Sequence, residues 1–204
     1  RVHGLTMQPH QRLWYAALTM QQPLEPARDS TLILSAGVFY LALGGAGIGL
    51  IWLQDLSIMQ ALFGEAATRG AHSSYGVATG LVIVLITALG WDHPKLRQLN
   101  QTMRALLGRP SSTTITWLAV TSAIGEELFF RGGLQPLIGF WPTALIFGLL
   151  HGGFDPKLRL WAVFATLAGL LLGGLTLWTG NLQAAILCHL TVNYLNLQQL
   201  ARRD

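Results

Sequence analysis

The sequence predicts an all-α, polytopic transmembrane bundle of about six spans, with one or two interfacial amphipathic helices beside it. Three observations carry that expectation. Only 11% of the 204 residues are charged and 51% are hydrophobic, against roughly 25% charged in ordinary soluble domains. Asp, Glu, Lys and Arg are absent for 25 residues between Asp29 and Asp55, 23 between Arg131 and Asp155, and 42 between Arg159 and Arg202. About 20 apolar residues cross the hydrocarbon of a bilayer, so the first two intervals each hold one crossing and the third has room for two. Six of the seven tryptophans then fall near the ends of the proposed spans, at the level of an aromatic belt.

In chain order the expected crossings are 31–53, 76–91, 113–130, 136–151, 160–178 and 182–200. The belt residues are Trp52, Trp91, Trp117, Trp141, Trp161 and Trp178. The long last interval divides at Thr179-Gly180-Asn181, where glycine and asparagine supply the chemistry of a tight turn. Between the second and third crossings, Leu96, Leu99, Met103, Leu106 and Leu107 recur at helical spacing with Lys95, Arg97 and Arg104 among them. That pattern predicts an amphipathic helix on the cytoplasmic membrane surface. Residues 11–20 read the same way, within an N-terminal cytoplasmic or interfacial arm, 1–30. The arm lacks the charged start, short apolar region and small-residue cleavage site of a signal peptide and is read as mature sequence. The whole chain, 1–204, reads as one integral-membrane domain, with 113–200 as the core that bears its motifs.

The formal charge is +4. In a membrane protein basic residues record topology more often than nucleic-acid binding, and no nucleic-acid partner is expected. With the N-terminus in the cytoplasm, eleven of the 13 Lys and Arg residues lie inside; Arg69 and Arg131 lie outside or within the membrane. Both termini are therefore expected to be cytoplasmic. The single thiol, Cys188, excludes a disulfide scaffold and a cysteine-rich metal site. Glycines four apart, Gly45 with Gly49, Gly76 with Gly80 and Gly169 with Gly173, favour close helix packing within the bundle.

The chemistry concentrates in the third, fourth and sixth crossings. The third crossing ends Gly125-Glu126-Glu127-Leu128-Phe129-Phe130-Arg131, and a charge near the bilayer centre costs at least about 2.5–3.5 kcal/mol on insertion scales. Glu127 and Arg131 are four apart, on one face and in the favourable acid-before-base order, so they are expected to pair. Glu126 lies about 100° round the helix, without that partner, and is the candidate chemical carboxylate. The alternative makes both glutamates part of a helix-end ion network. Phe147 and His151 share a face of the fourth crossing, as do His189 and Asn193 of the sixth. Each histidine alone could be a core group bonded to a carbonyl. Together, three apolar helices each present a polar face that needs a partner in a medium without water, and they are expected to converge.

A carboxylate within reach of a water can take its proton, while imidazole and amide groups orient that water and stabilise an oxyanion. Such a constellation suits hydrolysis. Ser122 and Thr121 lie on the same helix as the glutamates, but no Ser-His-Asp arrangement is evident. Zinc is disfavoured, since no HExxH occurs and the ligands would come from three helices. Counting along helices places Glu126 about 20 Å from Thr113 and Asn193 about 18 Å from Asn181, with His151 nearer the cytoplasm.

These residues carry a resemblance. Glu126-Glu127-xxx-Arg131, Phe147-xxx-His151 and His189-xxx-Asn193, in this order on three membrane helices, resemble the three motifs of the CAAX protease and bacteriocin-processing enzyme family (CPBP, or Abi), over about residues 119–197. The resemblance implies an intramembrane glutamic protease without a metal cofactor. It implies that Glu126 and His151 activate the water and that His189 and Asn193 form the oxyanion site. Glu127 and Arg131 would organise the site and Phe147 would line it. Six crossings are fewer than in well-described CAAX-processing members. The expected partners are membrane lipids, a peptide or protein substrate, and membrane proteins of a complex. Two other functions stand beside the peptidase: a non-enzymatic membrane partner or assembly factor on the same core, and a small transporter with an acid–histidine relay.

Overall fold

A computed structural model describes residues 29–203, and these residues form helices without a strand. The order is α1 (Asp29–Leu53), α2 (Ile58–Phe63), a 3₁₀ turn (Ala66–Thr68), α3 (Arg69–Leu89), α4 (Pro94–Leu107), α5 (Ser112–Glu127), a π-helix (Leu128–Leu134), α6 (Gln135–Ile138), α7 (Phe140–Leu150), α8 (Arg159–Thr179) and α9 (Gln183–Arg202). The all-α expectation holds. The arm and the amphipathic segment expected at 11–20 lie outside the described residues, apart from the first residues of α1.

Each of the six expected crossings coincides with helix, but not always with one helix. Among the described residues, three stretches are long and apolar enough to cross a membrane: Asp29–Leu53, Ile58–Leu89 and Arg159–Thr179. The crossing expected at 136–151 is broken. Gly139 takes φ 92°, a left-handed conformation open to glycine, between α6 and α7. The 11 residues of α7 rise only about 16 Å, roughly half the hydrocarbon thickness. The third crossing is longer than expected, because α5 runs directly through the π-helix into α6, and the continuous helix ends at Ile138. Its start is fixed by the Ser111 side chain, which accepts from the Thr114 amide. The amphipathic segment forms α4, which buries Leu99. Arg104 Nε of α4 donates to the Leu200 carbonyl (3.1 Å), one of the acceptors that the last turn of α9 leaves without an intrahelical donor.

Small residues set the spacing of the bundle. α1 lies parallel to α5: a Cβ added at Gly37 would meet the Trp117 ring at 3.2 Å, one at Gly44 the Gly125 backbone at 3.5 Å, and one at Gly47 the Leu128 carbonyl carbon at 2.5 Å. α3 lies parallel to α9, with Gly76 against the Ala184 backbone and Gly80 against Cys188 and Thr191. α7 packs antiparallel to α8, Gly148 against Thr166 and Ala144 against Gly169. Gly76, Gly80, Gly169 and Gly173 therefore stand at contacts, as expected, whereas Gly45 and Gly49 face open space. The buried stripe of α1 is Gly37, Gly44, Gly47 and Ile51, whose spacing follows 3.6 residues per turn, and the pair chosen from the sequence lies off that stripe.

Gly47→Val should lower the melting temperature of the purified protein in detergent by the equivalent of about 1–3 kcal/mol, the usual cost of overpacking. Gly45→Val, with the same change in helix propensity, should leave it nearly unchanged. Equal losses would contradict the packing face.

Candidate active site

The end of α5 delivers two adjacent carboxylates into the bundle, and helix geometry separates their surroundings. Glu127 is fully buried and Glu126 is 5% exposed. Glu127 Oε1 accepts from Arg131 Nη1 at 3.0 Å, the pairing expected from the sequence, and from His189 Nδ1 at 2.8 Å. Arg131, itself buried, also donates from Nη2 to the Gly169 carbonyl of α8 at 3.2 Å. Its guanidinium carbon lies 4.4 Å from the centre of the Phe147 ring, a cation–π contact. One cation thus joins the π-helix to α5, α7 and α8, and through Glu127 to α9. Gln135 repeats the arrangement one turn on, donating to the Gly173 carbonyl at 3.3 Å.

Glu126 faces elsewhere. Its Oε2 is 3.7 Å from His151 Nε2 and 3.9 Å from His189 Nε2, and this buried oxygen has no direct hydrogen-bond partner. His151 sits just past the end of α7, with Nδ1 2.7 Å from the Phe147 carbonyl. A carbonyl only accepts, so Nδ1 carries the proton and a neutral ring turns its Nε2 lone pair toward Glu126. The Phe147 and His151 rings lie against each other at a tilt of 39°, centroids 4.3 Å apart, and the Phe147 and His189 rings are 6.3 Å apart. Phe147 therefore touches both the Arg131 cation and the His151 ring, beyond the lining role expected of it.

The structure brings Glu126, Glu127, Arg131, Phe147, His151 and His189 into one group. Asn193 stands one turn further along α9, about 5.4 Å by helix pitch, where its Nδ2 donates to Ser122 Oγ at 3.0 Å. Ser122 lies four residues before Glu126 and bonds back to the Ala119 carbonyl. The helices α5 and α9 thus carry two polar rungs, Glu126–Glu127 with His189 and Ser122 with Asn193. The sequence offered Ser122 only as a weak nucleophile candidate. Its i,i+4 relation to Glu126, matching His189 and Asn193, was the available signal for a partner. A second residue absent from the sequence-level candidates is Tyr40 of α1, whose backbone lies against Gly125, directly before Glu126. It shares the glycine stripe of its helix. Cys188 is buried among Leu172, Leu175, Ala184 and Ala185. Among the described residues no three or more His, Cys, Asp and Glu side chains are grouped as a metal site.

A family model described as "Type II CAAX prenyl endopeptidase Rce1-like" matches residues 109–195, which contain every residue of the group. Uncharacterized protein YpbD of Bacillus subtilis (strain 168) is 31% identical over 150 residues, covering 72% of this chain and 78% of that protein. The chain belongs to the Rce1-like family. No solved structure matches it. Membership in a family of CAAX-protease-type membrane peptidases agrees with the apolar helices, and the Rce1-like segment begins just before α5 and ends within α9. α1 and α3, which pack on that segment, are outside the matched residues.

In this Rce1-like protein Arg131→Ala should cost about 3–5 kcal/mol of stability, because it leaves Glu127 charged and buried without its cation. The double variant Glu127→Gln/Arg131→Met removes both charges and should lose clearly less than the sum of the single losses, read from unfolding midpoints in detergent. Strict additivity would show that the pair does not act as a unit.

Proposed function

We propose that the protein is an intramembrane peptidase in which Glu126 activates a water to hydrolyse a peptide bond of a membrane-associated protein or peptide. The observation that carries this reading is the approach of the unpartnered Glu126 Oε2 to the Nε2 atoms of His151 and His189, at 3.7 and 3.9 Å. A carboxylate and a neutral imidazole both accept. A water lying between them can give one hydrogen to each, which directs its oxygen lone pair at a carbonyl carbon. Attack forms the carbon–oxygen bond as Glu126 takes the proton. The same carboxyl then returns a proton to the leaving nitrogen as the carbon–nitrogen bond breaks.

The oxyanion requires donors. Asn193 Nδ2 carries a second hydrogen beyond the one given to Ser122. His189 gives its Nδ1 hydrogen to Glu127, so its Nε2 donates only when the ring holds both protons. Glu127 and Arg131 act by holding His189 and Phe147, and Phe147 by holding His151. This reading assigns the base role to a carboxylate and needs no metal cofactor. Lipids surround the apolar faces, and the partner is the peptide or protein substrate, with no nucleic acid involved.

His151 forms the rim. Its side chain is 21% exposed, and the exposed residues Phe154, Asp155, Pro156 and Lys157 follow it in the α7–α8 connection. In the topology that places both termini in the cytoplasm, this rim is cytoplasmic, and water and substrate reach Glu126 from that side.

Glu126→Gln should abolish cleavage of a membrane-tethered peptide substrate, with yield and melting temperature close to wild type. Wild type and Glu126→Gln that are equally inactive on a broad peptide panel, yet both copurify with the same membrane protein, would favour the assembly-factor reading. For the topology, Asp155→Cys in a Cys188→Ala background should react with a membrane-impermeant maleimide from the cytoplasmic face. Labelling only from the opposite face would reverse the orientation.

A further inference from the structure

We propose that Ser122 is a positioning residue for Asn193: its hydroxyl holds the carboxamide with the nitrogen end against α5, so that a donor and not an acceptor is kept for the oxyanion. The inference deepens the peptidase reading and rests on it for the oxyanion role of Asn193.

A hydroxyl in an apolar helix often turns back to its own backbone. Thr116 and Thr121 of α5 do so, reaching the Ser112 and Trp117 carbonyls at 2.9 and 2.7 Å. Ser122 does more. It is buried, gives its hydrogen to the Ala119 carbonyl at 3.3 Å and receives Asn193 Nδ2 from α9 at 3.0 Å. A hydroxyl has one hydrogen and two lone pairs. With the hydrogen committed within α5, Oγ meets α9 as an acceptor, and an acceptor selects the nitrogen end of the facing carboxamide over its oxygen end. The same two bonds leave Ser122 without a base to take its proton, so this arrangement does not make it a nucleophile.

The selection matters because the two ends of an asparagine side chain have nearly the same shape. Rotation about χ2 is broad and roughly two-fold, and a half-turn puts a carbonyl oxygen where an N–H stood. That oxygen would repel a developing oxyanion. The bond to Ser122 opposes the half-turn, and the planarity of the amide then fixes the line of the second Nδ2 hydrogen. Ser122 precedes Glu126 by four residues on α5, and Asn193 follows His189 by four on α9. The Ser122–Asn193 bond therefore lies about one helical turn, roughly 5.4 Å, from the approach of Glu126 to His189. Both histidines commit their Nδ1 hydrogens elsewhere. While the rings are neutral, the second Asn193 N–H is the donor on which the reading relies.

Ser122→Ala removes the oxygen and little volume. In a membrane-tethered peptide assay, kcat per folded enzyme should fall about tenfold with KM unchanged. Asn193→Ala should lose about a hundredfold or more, the usual cost of one oxyanion donor. In the Asn193→Ala background the serine has no amide to hold, and Ser122→Ala should change kcat by no more than about twofold. An equal fold-loss in both backgrounds, or a loss carried by KM alone, would overturn the inference. So would a Ser122→Ala enzyme less active than Asn193→Ala, which would mark the serine as the nucleophile. The second measurement needs no activity: melting temperatures of wild type, the two single variants and the double variant should show non-additive losses, and strict additivity would overturn the bond itself. Non-additive melting with no cleavage by wild type would sink the peptidase reading and the positioning role together. Glu126-dependent cleavage with additive kinetic losses would overturn this inference alone.

Discussion

The structure depends on a single buried cation. In a bilayer no water relieves an unpaired charge, so Arg131 must be satisfied by the protein alone. Its guanidinium reaches Glu127 on α5, the Gly169 carbonyl on α8 and the Phe147 ring on α7. Glu127 in turn holds His189 of α9. Four helices are thereby referred to one point, and the two histidines take their places from it: His189 through the Glu127 oxygen and His151 by packing its ring against Phe147 and bonding its carbonyl. A buried ion pair is weak evidence for stability by itself, because desolvation offsets much of the attraction. Here its consequence is specificity of arrangement: the i,i+4 pair is local, and this packing adds the Gly169 carbonyl for Arg131 and the His189 donor for Glu127.

The π-helix makes that geometry available. A segment wound with i→i+5 bonds is rare and is frequently found at functional sites. It begins at Leu128, directly after the glutamates, and carries Arg131. Glycine contacts complete the placement: Gly44 and Gly47 of α1 lie against Gly125 and Leu128, so α1 closes over the junction between α-helix and π-helix. Side chains at these positions would separate α1 from α5 at the residue directly before Glu126, where Tyr40 lies against Gly125. Packing and site are coupled through the same small residues.

The all-helical class, the turn between α8 and α9, and the Glu127–Arg131 pair were legible because each rests on local information: apolar run length, turn residues and i,i+4 spacing. The grouping of Glu126, His151 and His189 was legible from a different argument, that intramembrane polar faces need one another. Three features were not. The break at Gly139 depends on a positive φ that one glycine among 23 does not announce. The packing face of α1 was misjudged because glycines four apart were weighed above the full 3.6-residue stripe. Tyr40 escaped notice since its partner is more than eighty residues away, and only the parallel pairing of α1 with α5 brings the two together.

The break at Gly139 also reconciles depths that counting along the chain leaves in conflict. Counting assumes that all helices start on the two membrane surfaces, which would set Glu126, His151 and Asn193 several ångströms apart in depth. α7 does not start at a surface. Its first residue, Phe140, lies with its ring against Gly173, six residues inside the end of α8, about 9 Å by helix rise. From there α7 runs back along α8, and the His151 ring ends 6.0 Å from that of Trp161, near the start of α8. A full-length helix from the surface would have to end elsewhere. The short, displaced helix brings an imidazole to within 4 Å of a carboxylate on α5 while keeping that imidazole next to the exposed α7–α8 connection. On the proposed peptidase reading, a site in hydrocarbon needs both burial, for the ion network that holds it, and a path for water. The broken helix supplies the second without disturbing the first.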